Sequence, residues 1–164
     1  MALVLEDGQN VWRKVDHHFS GQGTTNHPAL QEQFRALKKY LVEQKGNPQL
    51  AFVPYSAELI VTAGGYAAAD AACKVYGIYV KGRRTTGTTF AFVQLFAQAD
   101  NTASTSLIFH LTRLGVTGQK AGEIWPDGVA VETALTIASD TTVAGATESA
   151  AADAADGFVI YGAA

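Results

Sequence analysis

The residues with the most evident chemistry stand near the start of the chain. His17 and His18 follow Asp16, and His27 lies a short way beyond. Imidazoles and a carboxylate are good ligands for first-row metals. Adjacent histidines in a regular element point apart, however, so with Asp16 and His27 they would make a weak surface site at most. The sequence reads them as exposed residues of an arm, available for contact. His110 alternates with Phe109 and Leu111, which makes it a half-buried strand residue. Asp140, Asp153 and Asp156 supply the oxygen ligands that calcium needs but lack the dense acidic spacing of an EF-hand. They read as turn residues that bond their own backbone. Cys73 stands beside Lys74, whose ammonium would lower a thiol pKa. It is the single cysteine of the chain, so an intrachain disulfide and a cysteine-based zinc site are both excluded. A small buried hydrophobe is the reading adopted for it.

Motifs that activate a nucleophile or cradle a phosphate are missing. The chain has neither a Gly-x-Ser-x-Gly elbow nor a Walker-type loop. Gly21-Gln-Gly23-Thr-Thr-Asn26 begins like a dinucleotide fingerprint but lacks the third glycine and a preceding strand. Nucleophile, base and orienting group cannot be named together. The sequence therefore predicts a protein that is not an enzyme and uses no cofactor or metal. Recognition is the remaining chemistry. Trp12 and Trp125 are natural interface anchors. Lys81-Gly82-Arg83-Arg84 is the densest basic cluster. It reads as a solvated turn, or as a contact with an acidic patch on a neighbouring subunit. The expected interface residues are Trp12, His17, His18, Arg83, Arg84 and Trp125.

The elements that must position these residues divide the chain near residue 48. Residues 1–25 read as an extended, irregular arm, because Gly8, Gly21 and Gly23 interrupt any regular element. Such an arm is expected to reach a neighbour and to be dispensable for folding. Residues 28–45 read as an amphipathic helix. Asn26 offers a cap, Pro28 lies in the first turn, and Gly46 and Pro48 stop it. Leu30, Phe34, Leu37 and Leu41 form its apolar stripe, leaving Lys38, Lys39 and Glu43 to water. From residue 49 to 164 the pattern is that of strands. The candidates are 50–53, 57–62, 74–81, 88–97, 106–114, 121–125, 131–138 and 157–162, with turns at Gly64-Gly65, Gly82, Asp100-Asn101, Gly115 and Pro126-Asp127-Gly128. Residues 66–73 read as a helical turn and 140–156 as an exposed loop. About eight strands at this spacing make a mainly β fold, a β-sandwich or jelly roll. The chain thus divides into residues 1–48, arm plus helix, and residues 49–164, the sandwich.

Composition narrows the function class. The 164 residues suit one domain and can bury a core without staples. Net charge is −3 with 16% charged residues, which argues against a nucleic-acid binder working through bulk charge. Residues 85–164 carry eight acids and two bases, so that half is acidic. No apolar run approaches the roughly 18 residues of a membrane span. Residues 1–10 hold two acids and no base, unlike a signal peptide. Ala, Gly and Thr together supply 60 residues, and a surface of small, uncharged side chains suits permanent contact between subunits.

The run from Lys74 to Lys81, then Phe92-Val93-Gln94-Leu95-Phe96, Ala134-Leu135-Thr136-Ile137-Ala138, Asp140-Thr141-Thr142 with its Ala-rich loop, and Phe158-Val159-Ile160-Tyr161-Gly162-Ala163 resembles small virion structural proteins of tailed bacteriophages. These are proteins of the kind that coat or cement a capsid. The resemblance covers roughly residues 50–164 and leaves out the helix and arm. It implies that the strand before the Asp-Thr-Thr loop and the C-terminal strand are partners in one sandwich. It also implies a protein made in the host cytoplasm and located on the capsid exterior. Its partners would be the major capsid protein and copies of itself, around a shell axis as a trimer. The alternative is a tail or receptor-binding module that recognises a surface glycan through Tyr55, Tyr66 or Trp125.

Overall fold

The computed structural model describes residues 5–20, 28–82, 92–101, 107–111, 120–141, 149, 151 and 154–164. Its first element corrects the expectation of an irregular arm, because Gly8–Ser20 is a helix, α1. Asp7 opens it by accepting the Gln9 amide at 2.8 Å, a side-chain cap for an otherwise orphaned donor. Val11, Val15 and Phe19 recur every four residues and, with Trp12, are buried. Each contributes about 1.5–3 kcal/mol on burial, so α1 is part of the folded core. Gly8 is the first helical residue and does not interrupt the helix. A Cβ there would stand 2.8 Å from the Asn47 side chain.

The second helix, α2 (Pro28–Gln44), follows the periodicity. Leu30, Phe34, Leu37 and Leu41 are buried, and Lys38, Lys39 and Glu43 are exposed. Gly46 and Asn47 end it at φ 71° and 52°, and the Asn47 amide returns to the Leu41 carbonyl at 2.9 Å. This is the left-handed helix stop that glycine and asparagine favour.

The rest is mainly β. The strands are β1 (Leu50–Tyr55), β2 (Tyr66–Ala69), β3 (Cys73–Gly82), β4 (Phe92–Phe96), β5 (Leu107–Leu111), β6 (Lys120–Val131), β7 (Leu135–Asp140) and β8 (Ala155–Ala163). Among the described residues they form two antiparallel sheets. One has the order β1-β8-β3-β6 and the other β2-β7-β4-β5. The strand before the Asp-Thr-Thr segment, β7, and the C-terminal strand, β8, lie in different sheets. Three local expectations are corrected. Residues 57–60 form a short helix, α3 (Ala57–Ile60), in place of a strand. Ala57 and Ile60 are buried while Glu58 and Leu59 are exposed, a spacing of three and not two. Residues 66–69 are a strand in place of a helical turn. The positive-φ glycines Gly64 and Gly65 swing the chain onto β7. Pro126-Asp127-Gly128 does not separate two strands but loops out from within β6.

The register shows how. Val75 faces Val129 and Gly77 faces Ile124, so residues 125–128 stand opposite Tyr76 alone. On the other side of β3, Val75 faces Tyr161 and Gly77 faces Ile160, a one-residue bulge at Tyr76. A bulge reverses the alternation of side chains. Before it, Cys73 and Val75 face the core between the sheets; after it, Ile78 and Val80 do. Tyr76 and Tyr79 face the helices.

The first sheet is therefore covered on both sides. Its outer face carries α1 and α2 through a cluster that includes Trp12, Phe19, Phe34, Tyr79 and Phe158. Its inner face shares a core with the second sheet through Val75, Val80, Val93, Leu135, Ile137 and Val159. Glycines let α2 come close. A Cβ on Gly122 would lie 2.9 Å from Leu30, and one on Gly77 would lie 3.0 Å from Phe34. The expected exposed loop over 140–156 is corrected at its described positions, because Asp140, Ser149 and Ala154 are buried.

Candidate functional site

The structure separates the residues expected at an interface. Trp12 is 3% exposed and lies inside the chain's own helix-side core. His17 is exposed on α1, and with Arg13, Lys14, His18 and Phe52 it lines a shallow depression of about 320 Å³. His18 is half-buried, 4.8 Å from the Tyr79 ring centre and 5.0 Å from that of Phe158. Burial holds its imidazole below the ordinary pKa. Lys81, His17 and Lys120 push the same way and Asp156 opposes them. Trp125 opens the β6 loop-out and is half-buried against the inter-sheet core. Arg83 and Arg84 lie outside the described residues, as do Asp153 and the Gly21–Asn26 segment. His110 sits in β5 opposite Gln94.

The other candidates are drawn into packing. Cys73 is fully buried, and burial pushes its thiol up to about 11, so its neighbour Lys74 does not activate it. Asp140 accepts hydrogen bonds from Gln94 at 3.0 Å and from Asn101 at 2.9 Å. Asp156 accepts the Ala57 amide at 3.1 Å. These two carboxylates thus serve separate joints. Among the described residues no group of three histidine, cysteine or acidic side chains is placed to hold a metal. No helix among them is long and apolar enough to cross a membrane.

A concavity lies between the edge strands of the two sheets, β1 and β2. It encloses about 380 Å³, with Phe52, Val53, Pro54, Tyr66, Ala68 and Tyr161 among its walls. The Lys14–Glu6 ion pair and Asp70 stand at its rim. Leu50 exchanges both backbone hydrogen bonds with Glu6, at 2.7 and 3.0 Å. In an antiparallel strand this makes residues 50, 52 and 54 share the outward edge. Phe52 therefore turns its amide and carbonyl outward, while Pro54 has no amide to offer. Sequence reasoning overlooked this groove although Pro54 marks it, since proline within a strand is confined to an edge. The walls are apolar and the edge offers backbone hydrogen bonds. Such a surface can hold an extended segment of another chain.

Compared with known protein families, curated proteins and solved structures, the chain matches none of them.

Proposed function

We propose that this chain is a non-enzymatic virion structural protein that decorates or cements a bacteriophage capsid. In this reading the two sheets form a β-sandwich of the jelly-roll kind. The observation that carries the proposal is the apolar groove along the β1 edge, walled largely by small and aromatic side chains. The resemblance of residues 50–164 to virion structural proteins and the low charge of the chain support the same reading. The partners are the major capsid protein and further copies of this chain, grouped as a trimer on the capsid exterior. Contacts across subunit boundaries then stabilise the assembled shell by mass action.

Quantifying the chain in purified particles tests this. A copy number near that of the major capsid subunit is expected. A few copies at one vertex would favour the second reading, a tail or receptor-binding module. Tyr66 on the groove wall and Trp125 at the β6 loop-out, both half-buried, are the aromatic residues left for that reading, because Tyr55 is buried. Ala67 is exposed on the groove, so Ala67→Glu should leave folding intact and weaken co-sedimentation with shells by about tenfold, equivalent to about 1.4 kcal/mol. Unchanged attachment would remove the groove from the reading.

A further inference from the structure

The chain holds three Asp-Gly dipeptides, Asp7-Gly8, Asp127-Gly128 and Asp156-Gly157. Aspartate before glycine can close a five-membered ring, because glycine has no Cβ to shield its amide nitrogen. The glycine nitrogen attacks Cγ of the neutral carboxylic acid and an N–Cγ bond forms. The Cγ–OH bond breaks, and the hydroxyl leaves with the amide proton as water. The succinimide then takes water back at either carbonyl. One opening restores aspartate. The other gives isoaspartate, whose main chain runs through the former side chain and is longer by one methylene.

The structure sets the same dipeptide in three different places. Asp7-Gly8 opens α1. The Asp7 carboxylate caps the Gln9 amide at 2.8 Å, and its carbonyl accepts the amides of Asn10 and Val11 at 3.0 and 3.4 Å. Asp156-Gly157 lies in β8, where Gly157 is paired with Tyr55 of β1 on one side and Val80 of β3 on the other. The Asp156 carboxylate is engaged by the Ala57 amide at 3.1 Å. Turning either aspartate onto the next nitrogen would break the start of a helix or two ladders. Asp127-Gly128 has neither restraint. Residues 125–128 stand opposite Tyr76 alone, and β6 is the edge strand of its sheet. The Asp127 side chain is 77% exposed. A loop that already leaves the ladder can take up an added methylene.

One cluster opposes the ring closure there. The Tyr40 hydroxyl donates to Asp127 Oδ1 at 2.6 Å, and Lys45 Nζ stands 3.3 Å from the same oxygen. Tyr40 first and Lys45 next hold the carboxyl below its ordinary pKa, and Lys74 on β3 acts in the same direction. The carboxylate form is a poor electrophile, so these contacts keep the reactive acid scarce. They also tie the loop to α2.

We propose that Asp127-Gly128 is a site of spontaneous isoaspartate formation, and that Tyr40 and Lys45 act as its brake. Conversion displaces the carboxylate from these two partners and frees the loop from the end of α2. The site is independent of the capsid reading and requires no partner chain.

The intact protein, incubated at 37 °C and pH 7 in water enriched in oxygen-18, tests this. Each passage through the succinimide leaves one heavy oxygen, whichever way the ring opens. Peptide mass spectrometry with electron-transfer fragmentation then compares the three sites. Asp127 should gain label and isoaspartate while Asp7 and Asp156 remain unlabelled. In urea all three should react. Equal labelling of the three sites in the folded protein overturns the proposal, as does an Asp127 that reacts only in urea. A preference for Asp127 that survives unfolding belongs to its sequence neighbours and overturns it as well. Tyr40→Phe and Lys45→Met should each speed the reaction several-fold at Asp127 alone. An unchanged rate in both variants overturns the brake, as does an acceleration shared with Asp7 and Asp156, which reports general loosening of the fold.

Discussion

The two faces of the helix-bearing sheet are packed by different means. Towards α1 and α2 the contacts are aromatic. Tyr79 stacks on Phe158 with ring centres 5.4 Å apart, and Phe19 meets Tyr79 edge-on at 5.3 Å. Towards the second sheet the core is chiefly aliphatic, with Ala and Val its commonest residues, and fixed polar knots stand at its margin. A helix laid on a sheet leaves wedge-shaped space that large rings fill. Two sheets packed about 10 Å apart leave a thin slab that small side chains fill. The ring cluster thus supplies apolar area in few side chains. The slab relies on many small contacts and on the hydrogen bonds that close its ends. Phe158 and Val159 are consecutive in β8 and belong to opposite cores, so one strand allows the two to be compared directly.

Substitutions in and beside that strand sharpen the contrast. Phe158→Ala should cost about 3–5 kcal/mol of unfolding free energy, measured by denaturant titration. A cost near 1 kcal/mol would mean that the helices collapse into the space. Asp140→Asn tests the polar margin. It puts an amide where Gln94 and Asn101 both donate, and should cost about 1–3 kcal/mol. Val159→Ala removes two methyl groups from the slab and should cost about 1–2 kcal/mol. If it matches Phe158→Ala, the two cores are not packed differently. The smallest effect is the pH dependence from His18. Its folded pKa lies below the unfolded value of about 6.5. The unfolded chain therefore binds the proton first on acidification. Stability from this group is present above pH 6.5 and is lost as pH falls from there through the folded pKa. His18→Gln should flatten that limb of the stability curve.

The same contrast explains what could be read in the sequence. α2 was legible because its stripe has no competitor and its stop residues lie at its end. α1 carries an equally regular stripe in Val11, Val15 and Phe19, but glycines near both ends outweighed it. An arm has no buried face, so reading 1–25 as one hides the burial of His18 and Trp12. β2 is largely alanine, whose propensity favours helix, and its strand state comes from pairing with β7. Most other strands are legible to within a few residues. Their pairing was not legible, because cross-strand neighbours such as Lys81 and Lys120 depend on register, which the Tyr76 bulge shifts. The groove is legible only through Pro54, since edge position is a property of the assembled sheet.

The place of β8 has a consequence for how the molecule is made. Among the described strands it comes last in sequence, yet it lies between β1 and β3 and bonds to both along its length. A ribosome delivers β1 and β3 long before the strand that joins them. Until residues 155–163 emerge, β1 has no partner within its own sheet apart from the single bridge to Glu6, and the helices have half a floor to rest on. Assembly of this sheet is therefore dominated by contacts distant in sequence, which slows folding and leaves the nascent chain open to aggregation. Chaperones that shield apolar helices would act on α1 and α2, and a stalled chain lacking β8 is the species on which they would act longest.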